Sequence, residues 1–272
     1  MMGDRVAGKV ALVTGAARGQ GRADALRLAS EGADVIAVDV CAPLPSVAYD
    51  SATPEDLAET VGLIEKTGRR VIAGTVDIRD LDALRGVVDD AVRQLGRLDV
   101  IVANAGICVP KAWDQVTPKI FEDTISTNVT GTWNTVMAGA PHLVAAGGGS
   151  VILISSAAGL KVQPFMVPYT TSKFAVRGMA KAFAAELGQH NIRVNSVHPT
   201  GVNTPMGSGR MQEEIGAAIA GYQRLAPMFM NMLPVDVTQP EDVADTVLFL
   251  ASDESKFITA HEIAPDAGVT EF

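Results

Sequence analysis

One pattern constrains this chain more than any other. Short, nearly unbroken apolar runs recur along it: KVALVT at 9–14, DVIAVD at 34–39, RVIAGTV at 70–76, DVIVAN at 99–104, SVILIS at 150–155, IRVNSV at 192–197 and EIAP near 262–265. A strand with one wet face alternates apolar and polar side chains, so runs that are apolar at successive positions need cover on both faces. Longer stretches of helical period lie between them. Leu81, Leu84, Val88, Ala91, Val92 and Leu95 share one helical face, as do Leu57, Val61 and Ile64. Thr53-Pro54-Glu55-Asp56 offers an N-cap, a proline at the first helical position and acids in the first turn. Thr117-Pro118 and Pro240-Glu241-Asp242 repeat the signal. Strand–helix repeats of this kind predict an α/β fold: a doubly wound, seven-stranded parallel sheet with helices on both faces. A chain of 272 residues suits one such domain, 1–272.

The turn after the first strand reads TGAARGQG, with Gly15, Gly19 and Gly21. Glycines there let backbone approach a pyrophosphate, and the following helix N-terminus favours negative charge. Arg18 and Gln20 lie in the same turn. Asp39 ends the second strand, where a carboxylate accepts from both ribose hydroxyls of adenosine and repels a 2′-phosphate. Arg18 favours that phosphate, but residues 40–48 hold no further Lys or Arg, so NAD is the expected cofactor. Asp77 ends the third strand, within reach of an adenine amine, and Asn104-Ala105-Gly106 ends the fourth with small residues against which a cofactor can lie. Strand-end caps and ordinary turns are the structural alternatives at each of these places.

The chemistry concentrates in SSAAGLKVQPFMVPYTTSK, 155–173. Tyr169 and Lys173 are one helical turn apart, and Ser156 directly follows a buried strand. A free phenol titrates near pH ~10, too high for a base at neutral pH. A cation one turn away favours the phenolate, and about 3–4 kcal/mol of differential stabilisation is needed to bring it two to three units down. Ser156 is placed to hold a substrate oxygen while Tyr169 moves the proton. A surface Tyr–Lys pair is the plain alternative.

Two other segments stand out. Residues 40–52, VCAPLPSVAYDSA, extend the connection after Asp39, with Pro43 and Pro45 to stiffen it and Val47 and Tyr49 as apolar anchors. They suit a flap over the adenosine half of a cofactor, or a plain surface loop. Residues 202–233 carry Met206, Met211, Met228, Met230 and Met232 among glycines and suit an adaptable lid over an apolar ligand, or else an oligomer contact or simple core filling. Trp113 and Phe165 join Met206 and Met211 as expected substrate contacts. A net charge of −9 argues against nucleic acid and anionic membrane as partners. Cys41 and Cys108 make no disulfide framework, and MMGDRVAGKV has no apolar leader core, so a cytoplasmic location is expected. The four histidines lie far apart without ligand spacing, and no metal is expected.

With TGAARGQG, Asp39, NAG at 104–106, Asn128, Ser156 and Tyr169–Lys173 in this order, the chain resembles the short-chain dehydrogenase/reductases over essentially its whole length. The resemblance implies a Rossmann-type domain and four catalytic positions. Tyr169 would be the acid/base and Ser156 would orient the substrate oxygen. Lys173 would bind the nicotinamide ribose and lower the Tyr pKa, and Asn128 would hold a water linked to Lys173. It also places Pro199, Gly201, Val202 and Thr204 around the nicotinamide. VCAPLPSVAYDSATPEDLAETV and NSVHPTGVNTPM look like the carveol-dehydrogenase-like, mycofactocin-coupled branch. That implies firmly held NAD and an external redox carrier. Ala103, Thr200 and Ala260 depart from the family pattern at turn positions. Small residues on 117–146 and 168–190 match helices that relatives pair, which implies a homotetramer. An apolar secondary alcohol and its ketone are the expected substrates. An NADPH-dependent 3-oxoacyl reductase, supported by Arg18, and a non-catalytic NAD-binding redox sensor are the alternatives.

Overall fold

The computed structural model describes residues 4–44, 46–207 and 209–271. Pro45, one of the two prolines expected to stiffen the 40–52 segment, lies outside them. Seven parallel strands form one sheet: β1 (Val10–Thr14), β2 (Asp34–Asp39), β3 (Val71–Thr75), β4 (Val100–Ala103), β5 (Gly149–Ile154), β6 (Ile192–Val197) and β7 (Glu262–Ile263). Their order is β3-β2-β1-β4-β5-β6-β7. Val10–Thr14 pair with Asp34–Val38 on one side, and Ala11–Val13 with Val100–Val102 on the other. The chain winds outward in both directions from this β1/β4 junction, which leaves a crevice at the carboxyl ends of the two strands.

The apolar runs are buried as their composition demands. β1, β2 and β4 are buried at every position, whereas β3, at the sheet edge, is mostly half-exposed. Helices cover both faces. On one face α1 (Gly19–Ser30), α2 (Pro54–Glu65) and α8 (Pro240–Ala251) pack on Ala11, Val13, Val35 and Val102. On the other, α3 (Leu81–Leu95), α5 (Gly131–Ala145) and α6 (Val167–Leu187) pack on Leu12, Ile36, Ile101 and Leu153. The sequence start signals hold. Thr53 and Asp56 form a reciprocal capping box on α2, Asp80 caps α3, and Thr117 caps α4 (Pro118–Ile125). Between α4 and α5 the helix widens into a π-turn, Ser126–Thr130, which carries Asn128. α7 (Arg210–Gly221) lies in the Met-rich segment and has no buried residue. Ala260 sits at φ +61, a left-handed position that suits the glycine of the family pattern, and its N–H bonds Val194 O at 2.8 Å.

Candidate active site

The first βα turn is shaped by contacts that only glycine permits. A Cβ at Gly21 would lie 2.1 Å from the Gly15 carbonyl oxygen, and one at Gly15 would lie 2.9 Å from Asn104 Nδ2, with φ at +70. The turn therefore packs directly on the end of β4, and α1 starts at the crevice with its N–H groups facing it. Thr14 completes the seam. Its hydroxyl accepts from Asn104 N and Ala105 N, both at 3.2 Å, and its carbonyl accepts from Asn104 Nδ2 at 3.0 Å.

Asp39 is buried at the tip of β2, and its carboxylate is held by backbone: Ala17 N donates to it at 3.0 Å and Cys41 N at 3.1 Å. Arg18, one residue along the same turn, lines the cleft and donates to the Asp50 carbonyl. Asp77 is gripped by Arg79, with Nε 2.9 Å from Oδ2, which holds its carboxyl below the usual range. Arg79 was not singled out in the sequence, because nothing in its spacing separates it from a surface residue.

All the residues expected to hold the cofactor line one cavity of about 530 Å³, from Gly15–Gly21 and Asp39 at one end to Tyr169, Lys173, Pro199, Gly201, Val202 and Thr204 at the other. Ser156 lines its inner end beside Tyr169 and Lys173. Lys173 is buried, and its ammonium donates to the Ile154 carbonyl at 2.9 Å, 5.4 Å from the Tyr169 ring centre. Ser155 Oγ bonds the Lys173 carbonyl at 2.9 Å, so β5 fixes the helix that carries both residues.

The electrostatics differ from the sequence expectation. Burial pushes the Tyr169 phenol up, and a hydrogen bond with Ser156 opposes it; Lys173 does not set the balance. Burial also brings Lys173 down to about 8. Enclosure costs both charged forms, and a lysine 5.4 Å from the ring centre does not cancel that cost.

Asn128 lies behind the cavity. Its Nδ2 donates to Ile107 O at 2.9 Å and Ser172 Oγ at 3.0 Å, and its Oδ1 accepts from Ile107 N at 2.8 Å. The π-turn thus clamps the NAG loop to α6. With both Nδ2 protons engaged, a water on Asn128 would bind an acceptor, the remaining lone pair of Oδ1 or the backbone carbonyl.

Two expected substrate contacts are corrected. Trp113 is 73% exposed and does not reach the cavity, because the short 3₁₀ turn carrying it faces outward. Phe165 is buried, but its ring packs on Tyr222 with centroids 5.6 Å apart, and it supports the Met-rich segment from behind. Met206 and Met211 do line the cavity, joined by Gln163, Met166, Ile215 and Ile219 from the expected wall segments 160–167 and 202–233, where no single one of them stood out. Val47 is also displaced: Val40, Ala42, Leu44, Tyr49, Ser51 and Ala52 are the residues of 40–52 that line the cavity, and the Tyr49 phenol lies against the Cys108 backbone within electrostatic range of Tyr169.

His198, one of the four histidines without ligand spacing, stands directly behind Ser156. Its Nδ1 faces the Ser156 carbonyl at 2.9 Å and its Nε2 faces Ser196 Oγ at 2.8 Å. A carbonyl partner requires Nδ1–H, so the ring is the neutral Nδ1 tautomer. Burial keeps it so, bringing its pKa down to about 4.

A short chain dehydrogenase family model matches residues 9–215. The chain belongs to the short-chain dehydrogenase/reductase family. A short-chain dehydrogenase from Mycobacterium paratuberculosis, solved bound to NAD, is 60% identical, with a TM-score of 0.97 over 98% of this chain and 100% of that one. Carveol dehydrogenase from Mycobacterium avium, solved with NAD, is 45% identical, with a TM-score of 0.94 over 99% and 100%. A (−)-trans-carveol dehydrogenase from Rhodococcus erythropolis is 42% identical over 98% of this chain and 99% of its own. Among the described residues no His/Cys/Asp/Glu group could hold a metal, and no helix is long and apolar enough to cross a membrane.

Proposed function

We propose that this member of the family is an NAD-dependent oxidoreductase that interconverts an apolar, carveol-like secondary alcohol and its ketone, with Tyr169 as acid/base. The observation that carries the reading is one cavity with two chemically distinct ends. Asp39 stands at one, held by two backbone N–H groups, and Ser156, Tyr169 and Lys173 meet at the other. The glycine cradle and the α1 N-terminus fit a pyrophosphate, and Asp39 fits ribose hydroxyls. Bound NAD would supply the hydride acceptor or, when reduced, the donor. In the reducing direction Ser156 holds the ketone oxygen, and Tyr169, kept protonated by burial, gives its proton as negative charge develops there. In the oxidising direction Tyr169 must first release its proton to solvent; the phenolate then takes the alcohol proton, and Lys173 favours that phenolate by placing positive charge at the site. Met206, Met211, Ile215 and Ile219 supply an apolar wall.

An NADPH-dependent 3-oxoacyl reductase is disfavoured by Asp39 and by the engagement of Arg18 with Asp50. A redox sensor would have no use for Ser156 and Tyr169. The 40–52 and 202–233 segments act as flap and lid, retaining NAD and leaving its reoxidation to an external, mycofactocin-like carrier. Exposed Phe121, Trp133 and Phe174 on α4, α5 and α6 support a homotetramer paired through these helices, and two unpaired cysteines suit the cytoplasm.

The test is a mass spectrum and absorbance scan of purified protein, followed by carveol oxidation. NAD should co-purify. Tyr169→Phe should bind NADH normally and turn over about 10²–10⁴-fold more slowly. A Phe variant with near wild-type turnover removes Tyr169 from the reaction, and a preference for NADP overturns the reading of Asp39.

A further inference from the structure

Resting on the dehydrogenase reading above, we propose that Tyr49 is a ligand-binding residue at the reacting end of the cavity. Its O–H donates a hydrogen bond to an oxygen acceptor carried by the substrate or by the nicotinamide half of the cofactor.

The observation is an orphaned hydroxyl. Tyr49 lines the cavity and is half-buried as a residue, yet its oxygen is shut off from solvent and has no hydrogen-bond partner among the described residues. The Cys108 backbone lies against that oxygen without reaching hydrogen-bond geometry, and it acts to lower the phenol pKa, which is the effect of an N–H. A donor is therefore already near the oxygen, while the phenolic proton has no acceptor. Thr127 has a second orphaned hydroxyl on the cavity wall. A threonine on a helical turn can rotate toward its own preceding carbonyls, but a phenol oxygen is fixed by its ring.

The position is held from both sides. The Asp50 carbonyl accepts from Arg18, and the Ala48 carbonyl accepts from Arg210 Nη1 at 2.8 Å. The residues flanking Tyr49 are thus tied to the glycine turn and to α7. The Cys108 backbone beside the phenol continues the NAG loop that Asn128 clamps to α6, so the phenol stands beside that loop, with Tyr169 also within electrostatic range. A buried hydroxyl without a partner is costly, and a ligand oxygen would remove that cost when bound. A donor fixed before the ligand arrives also loses little freedom on binding.

The experiment compares wild type, Tyr49→Phe and Tyr49→Ala as full chains. Thermal melting without added ligand, NADH release by stopped flow, and kcat and KM for carveol are measured on each. Tyr49→Phe should melt no lower than wild type, because only an unpartnered group is lost. It should weaken one binding step about five- to thirtyfold, the range of a buried hydrogen bond. Faster NADH release at unchanged carveol KM places the acceptor on the dinucleotide; a raised KM at unchanged release places it on the substrate. If Tyr49→Phe stays within twofold of wild type in both while Tyr49→Ala is impaired, the ring only packs and the proposal is overturned. Wild-type protein without carveol turnover speaks against the proposed substrate class, and the NADH arm then decides Tyr49 alone.

Discussion

The two walls of the cavity are built differently. The wall formed by the first βα turn, Asp39 and the end of β4 is joined by backbone contacts: glycine against carbonyl at Gly21 and Gly15, and carboxylate against N–H at Asp39. The opposite wall, from 40–52 and 202–233, is joined by long side chains that cross between segments remote in sequence. Arg210 reaches Ala48, Lys111 reaches Glu214 at 2.9 Å, and Ser46 bonds Asp123. Backbone contacts of the first kind are locked by the sheet, whereas bridges of the second kind break one at a time at small cost. On the proposed reading, the fixed wall would set what binds and the bridged wall how fast it leaves.

The largest test of this contrast removes the bridged wall. Replacing 41–50 with a brief Gly/Ser turn should speed NADH release by two to three powers of ten, equivalent to about 3–4 kcal/mol, and allow turnover with free NAD. Stopped-flow release measures it. Wild-type protein that purifies empty and exchanges NAD freely would reduce the segment to a surface loop. On the fixed wall, Asp39→Ala should instead change selectivity, shifting the NADP-to-NAD ratio of kcat/KM upward about ten- to a hundredfold. It also strands the N–H groups of Ala17 and Cys41, so the variant should melt lower. An unchanged cofactor ratio would break the assignment.

The same contrast explains what the sequence made legible. β2 runs over the expected residues because a doubly buried strand leaves an uninterrupted apolar signature, and β6 does so although Arg193, Asn195 and Ser196 interrupt its apolar residues. The residues expected to hold the cofactor line one cavity, because their motifs act largely through backbone and keep fixed spacing. Trp113, Phe165 and Val47 were misplaced because a loop side chain's direction depends on backbone turns that periodicity does not encode. The upward shift at Tyr169 and the downward shift of Lys173 to about 8 were missed for a related reason: desolvation depends on everything packed around a group, while the i,i+4 spacing reports only one neighbour. His198 was hidden in the same way, since its partner Ser156 lies far away in sequence.

The fixed wall also carries a flaw of its own. Asp24, on α1, is fully buried with no partner for either carboxyl oxygen, and burial raises its pKa well above the ordinary value. A group raised in the folded state contributes stability below its unfolded pKa, near ~3.9, and that contribution is lost as pH rises toward the folded value. Asp24→Ala should therefore stabilise the protein at neutral pH by about 1–3 kcal/mol, with the gain vanishing near pH ~4. Melting curves across pH 4–8 check this. A neutral-pH loss of stability would mean that the carboxyl is satisfied.

The smallest effects belong to the bridges on α7. Lys111 and Glu214 are both half-buried, and the second Glu214 carboxylate oxygen is buried without a partner. Arg210 and Ala48 meet at the surface instead. A partly exposed ion pair contributes about 1 kcal/mol or less, so Lys111→Ala should raise substrate KM and NADH release about two- to fivefold. Arg210→Ala should do less, because water replaces its bond to the Ala48 carbonyl. Both bridges hold the same helix, so once one is lost the other restrains a segment already partly free. The double variant should then exceed Lys111→Ala by less than the separate effect of Arg210→Ala, a coupling that a double-mutant cycle reads directly. Strict additivity would mean that the flap and the lid move independently, and that the bridged wall is two walls.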